Sequence, residues 1–348
     1  ALSLFGLVPA ALMGIDIAVL LESGAQMRAL CGPHVTAHKN PGAWLGAVIG
    51  SLSLLGRNKL TLITSPSLNG FGLWVEQLIA ESTGKGGKGV VPIASEPLVS
   101  ADLYGEDRLF IYIRLEGDGS ASADAFVGRM ISSRAPVVCI DLKDISDLGA
   151  EFFRWQFATS IASSFLEVNP FDQPSVQESK DLAKLVLQEH IISGKPPLAE
   201  TKGSPAELLS SARRGDYLAL MVYLWQTPDL DKELSELRRI VLRLYRIPTT
   251  LGYGPRFLHS TGQLHKGGPE SVLFLQLTTN HDADTVGQKE PSLLGALTNA
   301  QAASDLRVLE GLGRRVARIN LGPDAVGEIR ELGRHLMESM GSGVAQNT

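Results

Sequence analysis

NKLTLITSPSLNGFGLWVEQLIAE, residues 58–81, decides the fold class. Its opening, NKLTLITSP, is a short apolar run closed by Ser65-Pro66, the pattern of a buried strand ending in a turn. Phe71, Trp74, Val75, Leu78 and Ile79 then recur at helical spacing and predict one apolar face over 71–81. A buried strand feeding an amphipathic helix is the first half of a βαβ unit. The same alternation continues outward. RLFIYIRL (108–115) and PVVCIDL (136–142) read as strands, and 123–134 as the helix between them. A long helix over about 147–167 carries Phe153, Phe157, Ile161 and Leu166. The expected architecture is α/β, a flavodoxin-like parallel sheet over about 56–192 covered by helices on both faces.

Residues 1–55 read as helical and as a connecting segment. The first stretch, ALSLFGLVPAALMGIDIAVLL, has no basic start, and it contains Pro9 and Asp16. It therefore reads as two short buried helices rather than a signal peptide or a membrane span. It begins with Ala, so the natural beginning is expected upstream. Beyond a polar, Pro/Gly-rich linker at 193–206, a second and smaller α/β unit is expected over about 207–340. Its strands are Tyr217–Leu224, Val272–Thr279 and Arg315–Leu321, with helices at 231–246, 294–314 and 323–339. Residues 341–348 read as a disordered tail.

At 348 residues and 44% hydrophobic content, the chain has material for about two domains. Its net charge of −5 argues against nucleic acid and anionic membranes as partners, and an anionic small substrate would need a local positive patch. Cys31 and Cys139 lack metal-type spacing and sit among apolar residues; they read as buried, inert thiols in a reducing cytoplasm. The seven histidines form no ligand set with a matching carboxylate, so no metal is expected.

Three segments carry candidate chemistry. Glu81 ends the predicted helix, where the negative end of the helix dipole should raise its pKa toward that of a base working near neutrality. Taken alone, it reads rather as a solvated helix-end carboxylate. In NPFDQPSVQESK (169–180), Asn169-Pro170 stops a helix, and Ser175 with Glu178 forms a capping box that starts another at Val176. Lys180 then falls in an apolar stripe near that helix start, where dipole and desolvation should lower its pKa. A lysine that snorkels to solvent is the competing reading. In GYGPRFLHSTGQLHKGGP (252–269), glycines and prolines surround Arg256, His259, Gln263, His265 and Lys266, and His259 and Gln263 are spaced to share a helical face. Either histidine has the chemistry of an acid/base near neutral pH, with a structural role as the alternative. The GKGGKG loop (84–89) departs from the P-loop pattern after Lys88, so it does not read as a nucleotide cradle.

Together, AESTGKGGKG (80–89), NPFDQPSVQESK (169–180) and LHSTGQLHKGG (258–268) resemble three segments of phosphoglucose isomerases. The long histidine string is most similar to the isomerase part of bifunctional transaldolase/phosphoglucose isomerases. The resemblance implies that Glu81 is the catalytic base, Lys180 the catalytic lysine and His259 the ring-opening histidine. It also implies that Gln173, Ser260 and Gln263 contact the substrate. The activity implied is glucose 6-phosphate to fructose 6-phosphate isomerisation through a cis-enediol(ate), with no cofactor and a sugar phosphate as ligand. A non-catalytic sugar-phosphate-binding sugar-isomerase (SIS) module is the alternative.

Two departures from the family stand out. The usual order is glutamate, histidine, lysine; here it is Glu81, Lys180, His259, as in a permuted domain. It stays open whether His259 serves its own site or a neighbour's. The S-K-S-G-T-type phosphate loop and the G-G-R arginine of the family's first SIS domain do not occur in this sequence. The resemblance therefore implies that the chain is a second half that works beside a missing first half or a second subunit. The apolar surface of 1–55 is then expected to be exposed.

Overall fold

The structure is a computed structural model that describes residues 2–174, 201–279 and 293–344. Its fold is α/β, with two compact units, one made of Ala1–Ser95 and Glu106–Asp172, the other of Glu96–Gly105 and Gln173–Thr348. Each contains a four-stranded parallel sheet.

In the first unit, strands β1 (Lys59–Thr64), β2 (Val91–Ala94), β3 (Arg108–Leu115) and β4 (Val137–Leu142) lie in the order β2-β1-β3-β4. This flavodoxin-type order reverses direction between β1 and β3, the place where doubly wound sheets open a crevice at their carboxyl edge. Central β1 and β3 are buried almost throughout, as their unbroken apolar runs require. Edge strand β4 alternates instead: Val138, Ile140 and Leu142 face the core while Cys139 and Asp141 are exposed. The expectation of two buried thiols therefore holds for Cys31 and fails for Cys139, which lies on the face of β4 that meets solvent. Burial nevertheless pushes the Cys139 thiol upward, with Asp141 adding to it, so the group is not activated.

Helices α1 (Leu4–Leu12), α2 (Ile17–Leu30), α3 (Pro41–Leu54), α4 (Asn69–Thr83), α5 (Ala121–Ser132) and α6 (Leu148–Leu166) complete this unit. The two leading helices are not the buried pair expected: α1 buries no residue and α2 only Gly24 and Met27. Phe5 is 95% exposed and Leu12 84%, an apolar surface of the kind foreseen for residues 1–55. Glycines set the packing of α2 and α3 on α6. A Cβ at Gly149 would lie 1.9 Å from the Leu20 carbonyl oxygen, and one at Gly46 would lie 2.4 Å from that of Ala158. These backbones touch where only hydrogen fits. Gly149→Ala is expected to destabilise the first unit by about 1–3 kcal/mol, the cost of overpacking, read as a lowered urea midpoint at unchanged slope.

In the second unit, β5 (Tyr217–Tyr223), β6 (Thr249–Tyr253), β7 (Val272–Thr279) and β8 (Arg315–Leu321) lie in the order β6-β5-β7-β8. Its sheet has as many strands as the first, so this unit is not the smaller one expected. Its helices are α7 (Pro205–Ser210), α8 (Pro228–Tyr245), α9 (Gly262–Gly267), α10 (Leu293–Gly311) and α11 (Ala325–Val344). Helix α11 runs through Val344, past the predicted start of a frayed tail. Residues 201–206 of the expected linker are tied down: Lys202 and Arg318 exchange backbone hydrogen bonds, each 2.8 Å.

Both strands that the sequence reading missed, β2 and β6, are edge strands of four and five residues. Pro92 interrupts one and Gly252 the other, and an edge tolerates both because it has ladder bonds on one side only.

Candidate functional site

Glu81 lies on the last turn of α4, half-buried, and Gln77 Nε2 donates to its Oε2 at 3.3 Å. Just beyond, KGGK (85–88) is a tight turn. Lys85 and Lys88 exchange backbone hydrogen bonds (3.1 and 3.0 Å), and Gly86 and Gly87 have φ of 58° and 74°. Two successive positive φ values define a type I′ turn, which glycine adopts without strain.

The same turn does something the sequence did not disclose. Buried Lys85 donates from Nζ to the Ser82 carbonyl (3.0 Å) and the Asn169 carbonyl (2.6 Å), and pairs with Asp172 at 3.4 Å. Lys88 Nζ donates to the Leu166 carbonyl (3.0 Å) and to Glu167 (3.2 Å), capping the carboxyl end of α6. Two lysines three residues apart therefore clamp the chain that leaves α6. Burial pushes the Lys85 ammonium down from its ordinary range, and Asp172 and then Glu81 partly offset that. The ESTGK and NPFD strings, more than 80 residues apart, meet here. Gln173 and Phe171 are exposed beside this junction. Lys180 and the helix expected from Val176 lie outside the described residues.

This junction is at the amino edge of the sheet: α4 runs back from the end of β1, and the turn leads directly into β2, whose Val91 pairs with Lys59, the first residue of β1. The carboxyl edge holds a separate cleft of about 550 Å³ at the ends of β3 and β4. Four carboxylates line it, Glu116, Asp118, Asp124 and Asp141, against Arg114 and Lys143. Asp118 accepts from the Ser67 N–H (2.8 Å), Asp124 from the Tyr112 hydroxyl (2.8 Å) and Asp141 from Arg114 Nε (2.8 Å). An excess of negative charge makes this cleft a poor place for a phosphate.

In the second unit, the chain leaves β6 through a cis Gly254-Pro255 bond and a 3-10 turn, Arg256–His259, before α9. Phe257 is buried, its ring 5.5 Å from Tyr223 and 5.6 Å from His265. Gly254 permits this approach, since a Cβ there would lie 2.4 Å from the Tyr223 ring. His259 and Arg256 are exposed, Ser260 is half-buried and Gln263 is buried. The shared helical face expected for His259 and Gln263 does not exist. Ser260, at φ −137° and ψ −79°, breaks the helix between them.

His265 is buried between aromatic rings. Burial above all, with the charges of Lys266 and Arg314, pushes its imidazole down to about 3, and Phe257 and Phe274 flank its ring. Of the two histidines in this string, only His259 meets solvent.

Among the described residues, no group of histidine, cysteine, aspartate and glutamate could hold a metal ion, and no helix is long and apolar enough to cross a membrane.

Fold and sequence place the chain among α/β proteins with paired parallel sheets and distant similarity to glucose-6-phosphate isomerases. It is 25% identical over 215 residues to the glucose-6-phosphate isomerase of Leptospira biflexa, a match covering 51% of this chain and 47% of that one. It is 28% identical over 214 residues to the enzyme of Enterococcus faecalis (50% and 47%) and 29% over 216 residues to that of Acholeplasma laidlawii (51% of each). The match spans about half the length of these relatives. No family model matches the chain. Among solved structures, the C-terminal domain of glucosamine-fructose-6-phosphate aminotransferase from Francisella tularensis overlaps 93% of this chain and 95% of its own. Its identity is 10% and its TM-score 0.26, a likeness too loose to bear on function.

Proposed function

We propose that the chain carries the catalytic base and acid/base groups of a phosphosugar isomerase that interconverts glucose 6-phosphate and fructose 6-phosphate. In this reading it is the isomerase part of a larger protein, such as a transaldolase fusion. His259, with Lys180, opens the sugar ring by moving a proton at the ring oxygen. The Glu81 carboxylate then removes the proton from C2 of the open aldose, and the electron pair shifts to give a cis-enediol(ate). Return of the proton to C1 yields the ketose. Gln173, Ser260 and Gln263 contact the substrate, and Gln263 needs a local opening to do so.

The observation that carries this reading is the lysine clamp. Lys85 and Lys88 hold residues 166–172 beside the end of the helix bearing Glu81, which is the coupling two strings of one isomerase site require. The anionic enediolate needs positive groups placed in advance, and an arginine of the family's other SIS domain is the group this sequence lacks. Turnover is therefore expected to depend on a complementary half, in the same polypeptide or a second chain.

The test is a coupled assay for fructose 6-phosphate formation from glucose 6-phosphate, run on this chain alone and with an added first SIS half. The expected result is turnover that appears or rises at least 100-fold with that half, the scale of one electrostatic stabiliser. Binding of fructose 6-phosphate with no turnover in either condition would make the chain a sugar-phosphate-binding module instead.

A further inference from the structure

Lys266 and Asp305 form an ion pair, 2.9 Å between Nζ and Oδ1, with side chains only 4% and 2% exposed. We infer that this pair positions the segment bearing His259, so that both are positioning residues for the ring-opening step; this rests on the isomerase reading above.

Three observations lead there. First, a buried ion pair is a poor source of stability, because removing two charges from water offsets most of their attraction, and apolar residues of similar size usually serve as well. Asp305 Oδ2 adds to the cost: it is buried with no hydrogen-bond partner among the described residues. What such a pair provides is directional geometry. Second, the element it fixes cannot fix itself. Helix α9 has six residues, far too few to persist alone. It is gripped at its side chain by Asp305 of α10. At its end, Arg314 Nη2 donates to the Lys266 and Gly268 carbonyls (2.9 Å each) and Nη1 to that of Pro269 (3.2 Å). Third, the exposed His259 lies between two buried anchors, Phe257 two residues before it and Lys266 seven residues after. A mobile surface loop needs neither anchor. An imidazole that must meet a ring oxygen within hydrogen-bond reach needs both.

The experiment compares the whole chain with Lys266→Met/Asp305→Leu, which replaces the pair by apolar groups, and with the single Lys266→Met. Amide hydrogen exchange is read over Phe257–Gln263 and over Val272–Thr279. In the folded double variant, exchange at Phe257–Gln263 is expected to rise at least tenfold while Val272–Thr279 stays protected. In the coupled isomerase assay, kcat should fall at least tenfold with KM changed less than twofold, a split that a general loss of stability would not give. Unchanged exchange at Phe257–Gln263 in a folded double variant overturns the inference, and so does equal loosening of both segments. A wild-type chain with no turnover even when the first SIS half is added sinks the isomerase reading alone, since the exchange measurement is independent of activity.

Discussion

Glu81→Gln is expected to lower isomerase turnover by about 10²–10⁴-fold, the usual contribution of a positioned general base. The substitution removes the carboxylate's ability to take a proton and its charge beside Lys85, and keeps the side chain's size. Glu81 is half-buried on a helix whose core contacts are Phe71, Val75 and Ile79, so the fold does not depend on it. The glutamine amide oxygen can still accept from Gln77, and Lys85 keeps its bonds to the Ser82 and Asn169 carbonyls and its pairing with Asp172. KM should therefore change little, and exchange of the C2 proton of glucose 6-phosphate with solvent should fall in step with turnover. A Glu81→Gln chain that isomerises at the wild-type rate would remove the base from the mechanism. Lys85→Met serves as the contrasting variant: it releases residues 169–172 without touching the carboxylate, so it should raise KM as well as lower kcat.

What could be read from the sequence follows from how far apart the deciding residues lie. Strands β3, β5 and β7 announce themselves because a strand buried on both faces must be apolar throughout. The apolar stripe of α4 is equally local, and so is Glu81 at its end. Of the four edge strands, β2 and β6 escape the sequence because they are only four and five residues long, and such short runs containing Pro92 or Gly252 carry little pattern. The lysine clamp was lost for a different reason. KGGK reads only as a polar turn, and the carbonyls it grips lie about 80 residues on, where no spacing rule reaches. Composition also misled in the histidine string. His265 and Lys266 have the chemistry of a site, yet one is buried between aromatic rings and the other is paired with Asp305, 39 positions away. Titratable side chains look alike in a sequence whether they meet substrate or hold the segment that does.

The two units are expected to respond to pH in opposite directions, because the buried Glu151 of one and the buried His265 of the other are shifted in opposite senses. In the second unit, burial holds His265 neutral, its pKa pushed down to about 3 from about 6.5 in the unfolded chain. The unfolded state then binds the extra proton first. The stability due to this histidine is complete above pH 6.5 and is lost as pH falls toward 3. In the first unit, Glu151 is buried at the start of α6, and burial raises its carboxyl to about 7 despite Arg154 at 3.2 Å, with Asp147 adding to the rise. Here the folded state keeps its proton longer, so the stability due to Glu151 is complete below about pH 4.5 and is lost as pH rises through 7. Each group spans more than two pH units, a change on the order of 3 kcal/mol at about 1.4 kcal/mol per unit. Hydrogen exchange from pH 4.5 to 6.5 should therefore show α9 and β7 becoming better protected, and α2 and α6 less so, once intrinsic exchange rates are divided out. Glu151→Gln should flatten the response of the first unit and leave the second unchanged. If both units gained protection together as pH rose, burial would not be what sets the charge state of Glu151, and the ion pair with Arg154 would persist throughout the range.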